Sequence, residues 1–270
     1  MYDPNLVYDV GLHLGEDSEY YLKKGFRVIA FEANPELVDM SKRKFIDEIK
    51  SGRLIIVEGA VAPQDYGNTI TFYRHSHSVW GTIQPDFNER NLKLWGESTG
   101  TIQVKRIDFA DTLNRYGIPF FLKVDIEGTD RHILRTLEEF QIRPKHISIE
   151  SEKIDFFKLI SELNLLRDLG YDNFRAVQQA TIPGLSISSR DLGGTSLEHT
   201  FAAHASGPFG DDLQQPWESY DEVLESYRRI FKYYRWFGDR SVLRRLRLTD
   251  AAERLIRRSL QSWYDTHATR

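Results

Sequence analysis

Short apolar runs alternate with longer amphipathic stretches along the first two thirds of the chain. Leu6-Val7-Tyr8-Asp9-Val10 is short, partly β-branched and stopped by Gly11, the pattern of a strand buried on both faces. A helix is expected from about Glu16. Residues 27–32 repeat the strand pattern, and Asn34-Pro35 opens a second helix in which Leu37, Val38, Phe45 and Ile49 share a face. Residues 54–57 form a third strand, while 69–73 and 101–104 alternate as shorter excursions that frame a polar, aromatic loop. Residues 120–125 and 146–150 resume the buried-strand pattern, with helices expected over 131–140 and 154–169. The last strands are expected at 171–177 and 196–203.

Repeated strand-helix units imply an α/β fold: a doubly wound, mostly parallel sheet with right-handed crossovers, helices on both faces, and a ligand crevice beyond the C-terminal strand ends. Ser206-Gly-Pro-Phe-Gly210 marks a boundary. Beyond it, helices are expected over 218–236 and 250–263, with Leu224, Tyr227, Phe231 and Tyr234 on one apolar face. The expected organisation is a main domain over 1–205 and a helical C-terminal extension over 206–270, placed to cap the site or to join two copies as a homodimer.

The 270 residues, 40% hydrophobic and 28% charged, suit an ordinary globular protein and exclude a disordered one. No stretch approaches the roughly 18 apolar residues of a membrane span, and the N-terminus lacks a basic segment leading into an apolar run, so a cytoplasmic protein without a membrane span is expected. The absence of cysteine rules out disulfides, thiolate metal sites and a cysteine nucleophile. The net charge of −4 hides an asymmetry, since residues 228–258 are strongly basic. Such a surface can hold a phosphate, a nucleotide-linked sugar or anionic lipid, but the solvated arginine face of a helix accounts for it without any ligand. No nucleic-acid partner is expected.

The chemistry starts at Asp9-Val10-Gly11-Leu12-His13-Leu14-Gly15, where a glycine pair ending the first strand lets backbone approach a ligand or simply makes a tight turn. Glu32 ends the second strand, where a carboxylate can accept both hydroxyls of an adenosine ribose. A dinucleotide fingerprint needs G-x-G-x-x-G against a pyrophosphate, whereas His13 stands at the second glycine. The acidic turn of Glu16, Asp17 and Glu19 also repels a diphosphate but suits a ligand bearing an ammonium and a sulfonium. S-adenosylmethionine is therefore favoured over a nicotinamide cofactor.

The chain resembles the FkbM-type methyltransferases. The resemblance is carried by Asp9-Val-Gly-Leu-His-Leu-Gly15, Phe31-Glu-Ala-Asn-Pro35, Glu58-Gly59-Ala60-Val61, Leu122-Lys-Val-Asp-Ile-Glu-Gly128 and the strand ending at Glu150, in family order. It covers roughly residues 7–151, and 206–210 and 263–267 are similar to the tails of some members. It implies a class I, Rossmann-like methyltransferase domain, S-adenosylmethionine as cofactor, and O-methylation of a hydroxyl on a sugar, glycan or secondary metabolite. By position it places Asp9, Gly11 and Gly15 at the amino-acid half of the donor, Glu32 and Asn34 at the ribose, and Glu58, Gly59 and Ala60 at the adenine. His13 departs from the small or amide side chain usual there.

O-methylation needs a base near the methyl group. Asp125, ending the fourth buried strand, is the first candidate, although a purely structural role fits it as well; Glu127 is the second. His77, in Arg74-His-Ser-His-Ser-Val-Trp80, is a third, since imidazole titrates near neutrality, though most loop histidines have no such role. Phe72, Tyr73, Trp80 and Trp95 can stack on an acceptor ring or simply pack. Asp125, Glu127, Glu150 and Glu152 bring oxygen ligands near neighbouring strand ends, but not at a recognised cage spacing, and no metal is expected. Two alternatives stay open: a nicotinamide-dependent oxidoreductase, and a catalytically silent binding or scaffold protein of the same fold.

Overall fold

The computed structural model describes residues 1–75, 81–86, 88–89, 92, 98–126, 129–152, 154–237 and 263–270. The buried runs form the strands of a central sheet: β1 (Tyr2–Val10), β2 (Arg27–Glu32), β3 (Leu54–Glu58), β7 (Ile118–Val124), β8 (His146–Glu150), β9 (Asn173–Gln178) and β12 (Tyr264–Thr269). Their order is β3-β2-β1-β7-β8-β12-β9. The pairs from β3 to β8 are parallel, and β12 runs antiparallel to both of its neighbours. A separate three-stranded sheet of order β4-β6-β5 holds β4 (Ala60–Val61), β5 (Thr69–His75) and β6 (Ser98–Ile107), and β5 and β6 are the excursions expected from their alternation.

The period of two along each strand sorts its side chains into two cores. Leu6, Tyr8 and Val10 face one core together with residues of α4 (Phe109–Tyr116), α5 (Asp130–Thr136), α6 (Phe156–Asp168) and α7 (Tyr220–Phe237). Val7, Val28 and Phe121 face the other, against Tyr20, Tyr21 and Leu22 of α1 (Glu16–Lys23) and against Phe209. Local chemistry sets the helix starts. The Asn34 side chain accepts from Glu36 N at 3.1 Å at the head of α2 (Pro35–Lys44), and Pro35 gives a first turn that needs no N–H. Asp108 and Asp155 cap α4 and α6 in the same way. The second expected helix breaks at Phe45 and resumes as α3 (Ile46–Lys50), which leaves the Phe45 ring buried beside Gly15.

One expectation about the far side of the sheet needs correcting. Residues 196–203 do not supply a central strand: among the described residues β11 (Ser196–Thr200) pairs only with β10 (Ser186–Arg190), as a separate two-stranded unit. The place is taken by β12, whose Asp265, Thr266, His267 and Thr269 are polar yet buried. Hydrophobic periodicity does not flag such a strand, because its burial comes from the neighbours on both sides and not from its own apolarity. The helix expected over 218–236 is α7, with Tyr227 buried and Leu224 and Phe231 packed on the same core. The helix expected over 250–263 falls, except for Trp263, outside the described residues. Among the described residues no helix is long and apolar enough to cross a membrane.

Buried hydroxyls and imidazoles tie β12 in place. Tyr227 Oη lies 2.6 Å from both Ser151 Oγ and Thr266 Oγ1, and these two lie 2.8 Å apart. Phe209 stacks on Phe121 with centroids 4.1 Å apart, and His146 lies against Phe120 in an edge-on contact. Among the described residues both His146 ring nitrogens and His267 Nε2 are buried without a hydrogen-bond partner. Burial, with the Lys145 charge adding to it, pulls His146 down to about 4, so the native ring is neutral where the unfolded one binds a proton. Stability is therefore lost as pH falls from 6.5 to about 4. In His146→Leu, urea titrations across that window should show a loss smaller than wild type by on the order of 1–2 kcal/mol. Parallel pH profiles for the two proteins contradict this assignment.

Candidate active site

The C-terminal ends of β1, β2, β3, β7 and β8 and the N-terminal end of β12 converge on one edge of the sheet. Register then decides which side chains share a face. Asp9 pairs with Lys123, Lys123 with Ser148 and Ser148 with His267, which places all of them on the face covered by α1. Two of them are charges inside otherwise apolar strands, and each is satisfied by the other. Lys123 Nζ lies 3.1 Å from Asp9 Oδ1, 3.1 Å from Asp17 Oδ2 and 3.7 Å from Asp125 Oδ2, and donates to Gly11 O at 3.0 Å. Ser18 Oγ donates to Asp9 Oδ2 at 2.7 Å, and Ser206 N donates to Asp17 Oδ1 at 2.8 Å.

Burial works against the Lys123 ammonium, but the carboxylates of Asp9, Asp17 and Asp125 outweigh it and hold its pKa well above the usual lysine value. Burial likewise lifts Asp9 to about 6, with Asp17 adding and Lys123 and Ser18 opposing. The two shifts compete for one proton, and the ammonium, facing three carboxylates, keeps it. Asp125 is raised first by the protein packed around it and then by Glu150 and Asp17, against Lys123. Its side chain is nonetheless 49% accessible, and this open face decides whether an acceptor can reach it.

The first loop is folded onto itself. Gly11 N and Leu12 N donate to Phe31 O, His13 N to Glu32 Oε2 at 2.9 Å, Leu14 N to Glu16 Oε2 at 3.1 Å and Gly15 N to Leu12 O. The glycines serve packing: a Cβ on Gly11 (φ +100°) would stand 2.1 Å from Asp125 O, and one on Gly15 (φ +75°) 2.3 Å from the Phe45 ring. In this structure the backbone amides of the turn are engaged within the chain. His13, at φ 53°, takes the left-handed conformation without being glycine, and its Nδ1 lies 3.0 Å from Glu16 Oε1. Burial raises Glu16, but His13 outweighs that and holds it below the ordinary glutamate value. His204, also left-handed at φ 68°, sets its ring edge-on to His13 at 5.7 Å.

Glu32 is buried at the end of β2, its oxygens accepting from His13 N and, at 2.8 Å, from Asn34 N; burial raises its carboxyl and these amides counter it. Asn34 is committed to capping α2. Glu58 pairs in register with Glu32 and is exposed, within 3.2 Å of Lys42 Nζ. Gly59 and Ala60 turn into the excursion sheet, where a Cβ on Gly59 would stand 2.5 Å from Lys105 O and Ala60 is buried. Asp9, Gly11, Glu32 and Asp125 therefore meet at one edge, with Glu58 beside Glu32. Phe72 is buried under Gly81 and unavailable for stacking. Glu127, His77, Trp80 and Trp95 lie outside the described residues. Sequence reasoning missed Lys123 and Asp17 as partners of Asp9. A lysine within Phe120-Phe121-Leu122-Lys123-Val124 was the available signal, because a charge in a buried strand requires a countercharge.

A mostly parallel sheet wound on both faces, with this crevice at its carboxyl edge, defines a Rossmann-like α/β protein. The model of the methyltransferase FkbM domain matches residues 9–172, and the chain belongs to that family of methyltransferases, whose members generally use S-adenosylmethionine. No curated protein matches the chain. Among solved structures it is similar to the methyltransferase FkbM from Methylobacillus flagellatus KT, with 19% identity over 65% of this chain and 40% of that one and a TM-score of 0.41. It is also similar to a precorrin-6y C5,15-methyltransferase from Geobacter metallireducens GS-15, with 12% identity, coverage of 74% and 76%, and a TM-score of 0.37. A precorrin 8w decarboxylase from Methanobacterium thermoautotrophicum gives 14% identity, coverage of 73% and 78%, and a TM-score of 0.36. Likeness at this level carries no functional argument.

The ion cluster is the energetic centre of the site. Removing its single cation leaves Asp9 and Asp17 buried and unpaired, so Lys123→Met should lower the unfolding free energy by about 3–5 kcal/mol in urea titrations. Lys42→Met, at the exposed Glu58 pair, should cost below about 1 kcal/mol. Equal effects of the two substitutions would be incompatible with this reading.

Proposed function

We propose that the protein is an S-adenosylmethionine-dependent O-methyltransferase acting on a hydroxyl of a sugar, glycan or secondary metabolite. One observation carries the cofactor reading: the turn after β1 has its amides bonded within the chain and is ringed by carboxylates. Amides already engaged offer no nest to a diphosphate, and Asp9, Asp17 and Asp125 around one lysine, with Glu16 and Glu32 bound to the turn itself, suit a cationic ligand. The donor set thus fits S-adenosylmethionine better than a nicotinamide dinucleotide.

Glu32 would accept the ribose hydroxyls with the lone pairs left beside its two amide bonds. The exposed Glu58 and the backbone of Gly59 and Ala60 would border the adenine, with Asn34 shaping the ribose end through its cap. Asp9, Gly11 and Gly15 act at one remove: Asp9 fixes Lys123, and the glycines allow the close approach of β7 and Phe45. S-adenosylmethionine, when bound, supplies an electrophilic methyl group. The open carboxylate of Asp125 receives the proton of the acceptor hydroxyl, and Lys123 at 3.7 Å orients it. Glu127 and His77 remain the other candidates for that proton.

Calorimetry with S-adenosylhomocysteine and with NAD separates the readings. Binding of the former alone supports the methyl-donor site, binding of NAD alone supports the oxidoreductase, and binding of neither supports a silent scaffold. Glu32→Ala should weaken S-adenosylhomocysteine roughly 100-fold or more, the loss of two hydrogen bonds to a charged acceptor. Asp125→Ala should keep that affinity while lowering methyl transfer from labelled donor to a panel of sugars, glycans and polyhydroxylated metabolites by about 100-fold or more. Undiminished transfer in Asp125→Ala would move the base elsewhere.

A further inference from the structure

Among the described residues two that carry a side chain hold a left-handed backbone, His13 at φ 53° and His204 at φ 68°. Their rings meet edge-on with centroids 5.7 Å apart. The conformation is costly for a residue with a Cβ. At His13 it is supported by Glu32 on the N–H and Glu16 on the ring. Among the described residues His204 has no such support: it is exposed, and its ring nitrogens have no hydrogen-bond or ion-pair partner.

The segment that carries His204 is fixed to α1 at both ends. The Phe201 ring packs on Tyr20 with centroids 4.9 Å apart, and Ser206 N donates to the buried Asp17 at 2.8 Å. Between them Ala205 N donates to Ala202 O at 3.4 Å, closing a turn whose third residue is His204, a place where glycine or asparagine is the ordinary occupant. Ala202 and Ala203 are exposed and short, so the imidazole is the group that this turn holds out beside the first loop. The loop itself leaves an anion poorly served. The N–H groups from Gly11 to Gly15 are engaged within the chain. Lys123 already faces three carboxylates, and Lys44, whose Nζ donates to Leu14 O at 3.2 Å, is paired with Glu19 at 3.1 Å.

We infer that His204 binds the α-carboxylate of the methyl donor through an imidazole N–H, which makes the segment after β11 part of the cofactor site. The inference rests on the S-adenosylmethionine reading above. With the ribose on Glu32 at the end of β2 and the sulfur towards Asp125 at the end of β7, the ligand crosses the end of β1, which lies between those two strands. Its amino-acid end then lies over the first loop, beside His13 and His204. That end carries an ammonium and a carboxylate on one carbon. The ammonium suits the acids around the loop, whereas the carboxylate meets acceptors and engaged amides there. Imidazole answers the second need, because the ring has an N–H to donate whether neutral or protonated. His13, tied to Glu16, sets the edge against which the His204 ring rests.

The test compares calorimetric affinities for S-adenosylmethionine and for decarboxylated S-adenosylmethionine, which keeps the sulfonium and the amine and lacks only the carboxylate. Both are measured on the wild type and on His204→Gly. Glycine accepts the left-handed backbone without steric cost, so this substitution removes the ring and keeps the turn. It should weaken S-adenosylmethionine by about tenfold or more, the loss of one hydrogen bond to a charged group, and leave the decarboxylated ligand within about twofold of its wild-type affinity. Equal losses for the two ligands overturn the inference, as does an unchanged affinity for S-adenosylmethionine. If S-adenosylmethionine does not bind the wild type, the methyl-donor reading itself fails. If it binds and the ratio of the two affinities survives the substitution, that reading stands and only the role of His204 falls.

Discussion

The contact of the Lys123 ammonium with Asp9, Asp17 and Asp125 is the constraint on which the crevice depends. It joins the C-terminal ends of β7 and β1 and the first turn of α1, with Lys123, Asp9 and Asp17 shut off from water, and each of these three would be costly to bury alone. Through Ser206 N on Asp17 it also fastens the segment that leads to Phe209, whose ring stacks on Phe121 two residues before the lysine. The ends of the two central strands are thereby held together, and the close passage of Gly11 beside the Asp125 carbonyl follows from that.

The same cluster sets the electrostatics of the site. One lysine cannot neutralise the carboxylates that converge on the carboxyl edge of the sheet, and the first loop uses its amides internally. A ligand entering there meets acceptors and negative potential, the opposite of a phosphate-binding turn. The left-handed backbone at His13, costly for a residue with a Cβ, is stabilised by Glu32 on its N–H and Glu16 on its ring. A histidine at this turn therefore brings its own local supports.

The parallel half of the sheet was legible because its strands are apolar on both faces: residues 6–10, 27–32, 54–57, 120–125 and 146–150 each correspond to an observed strand. Helix starts were legible where a capping side chain or proline announces them, as at Asn34-Pro35. The antiparallel side was not. Ser196–Thr200 and Tyr264–Thr269 both have strand-compatible composition, yet one forms a peripheral hairpin and the other enters the sheet. Nothing local distinguishes them; the difference is which strand finds the open edges of β8 and β9.

What the sequence by itself determined is the order of buried strands and helices and the placement of Asp9, Glu32 and Asp125 at or beside strand ends, because period and polarity are local properties. What only the tertiary structure decided is pairing across distance: Lys123 against Asp9 and Asp17, Gly15 against Phe45, and Asp265 beside Glu150. Those contacts depend on strand order and register, and a residue's neighbour on the next strand can lie more than 100 positions away along the chain.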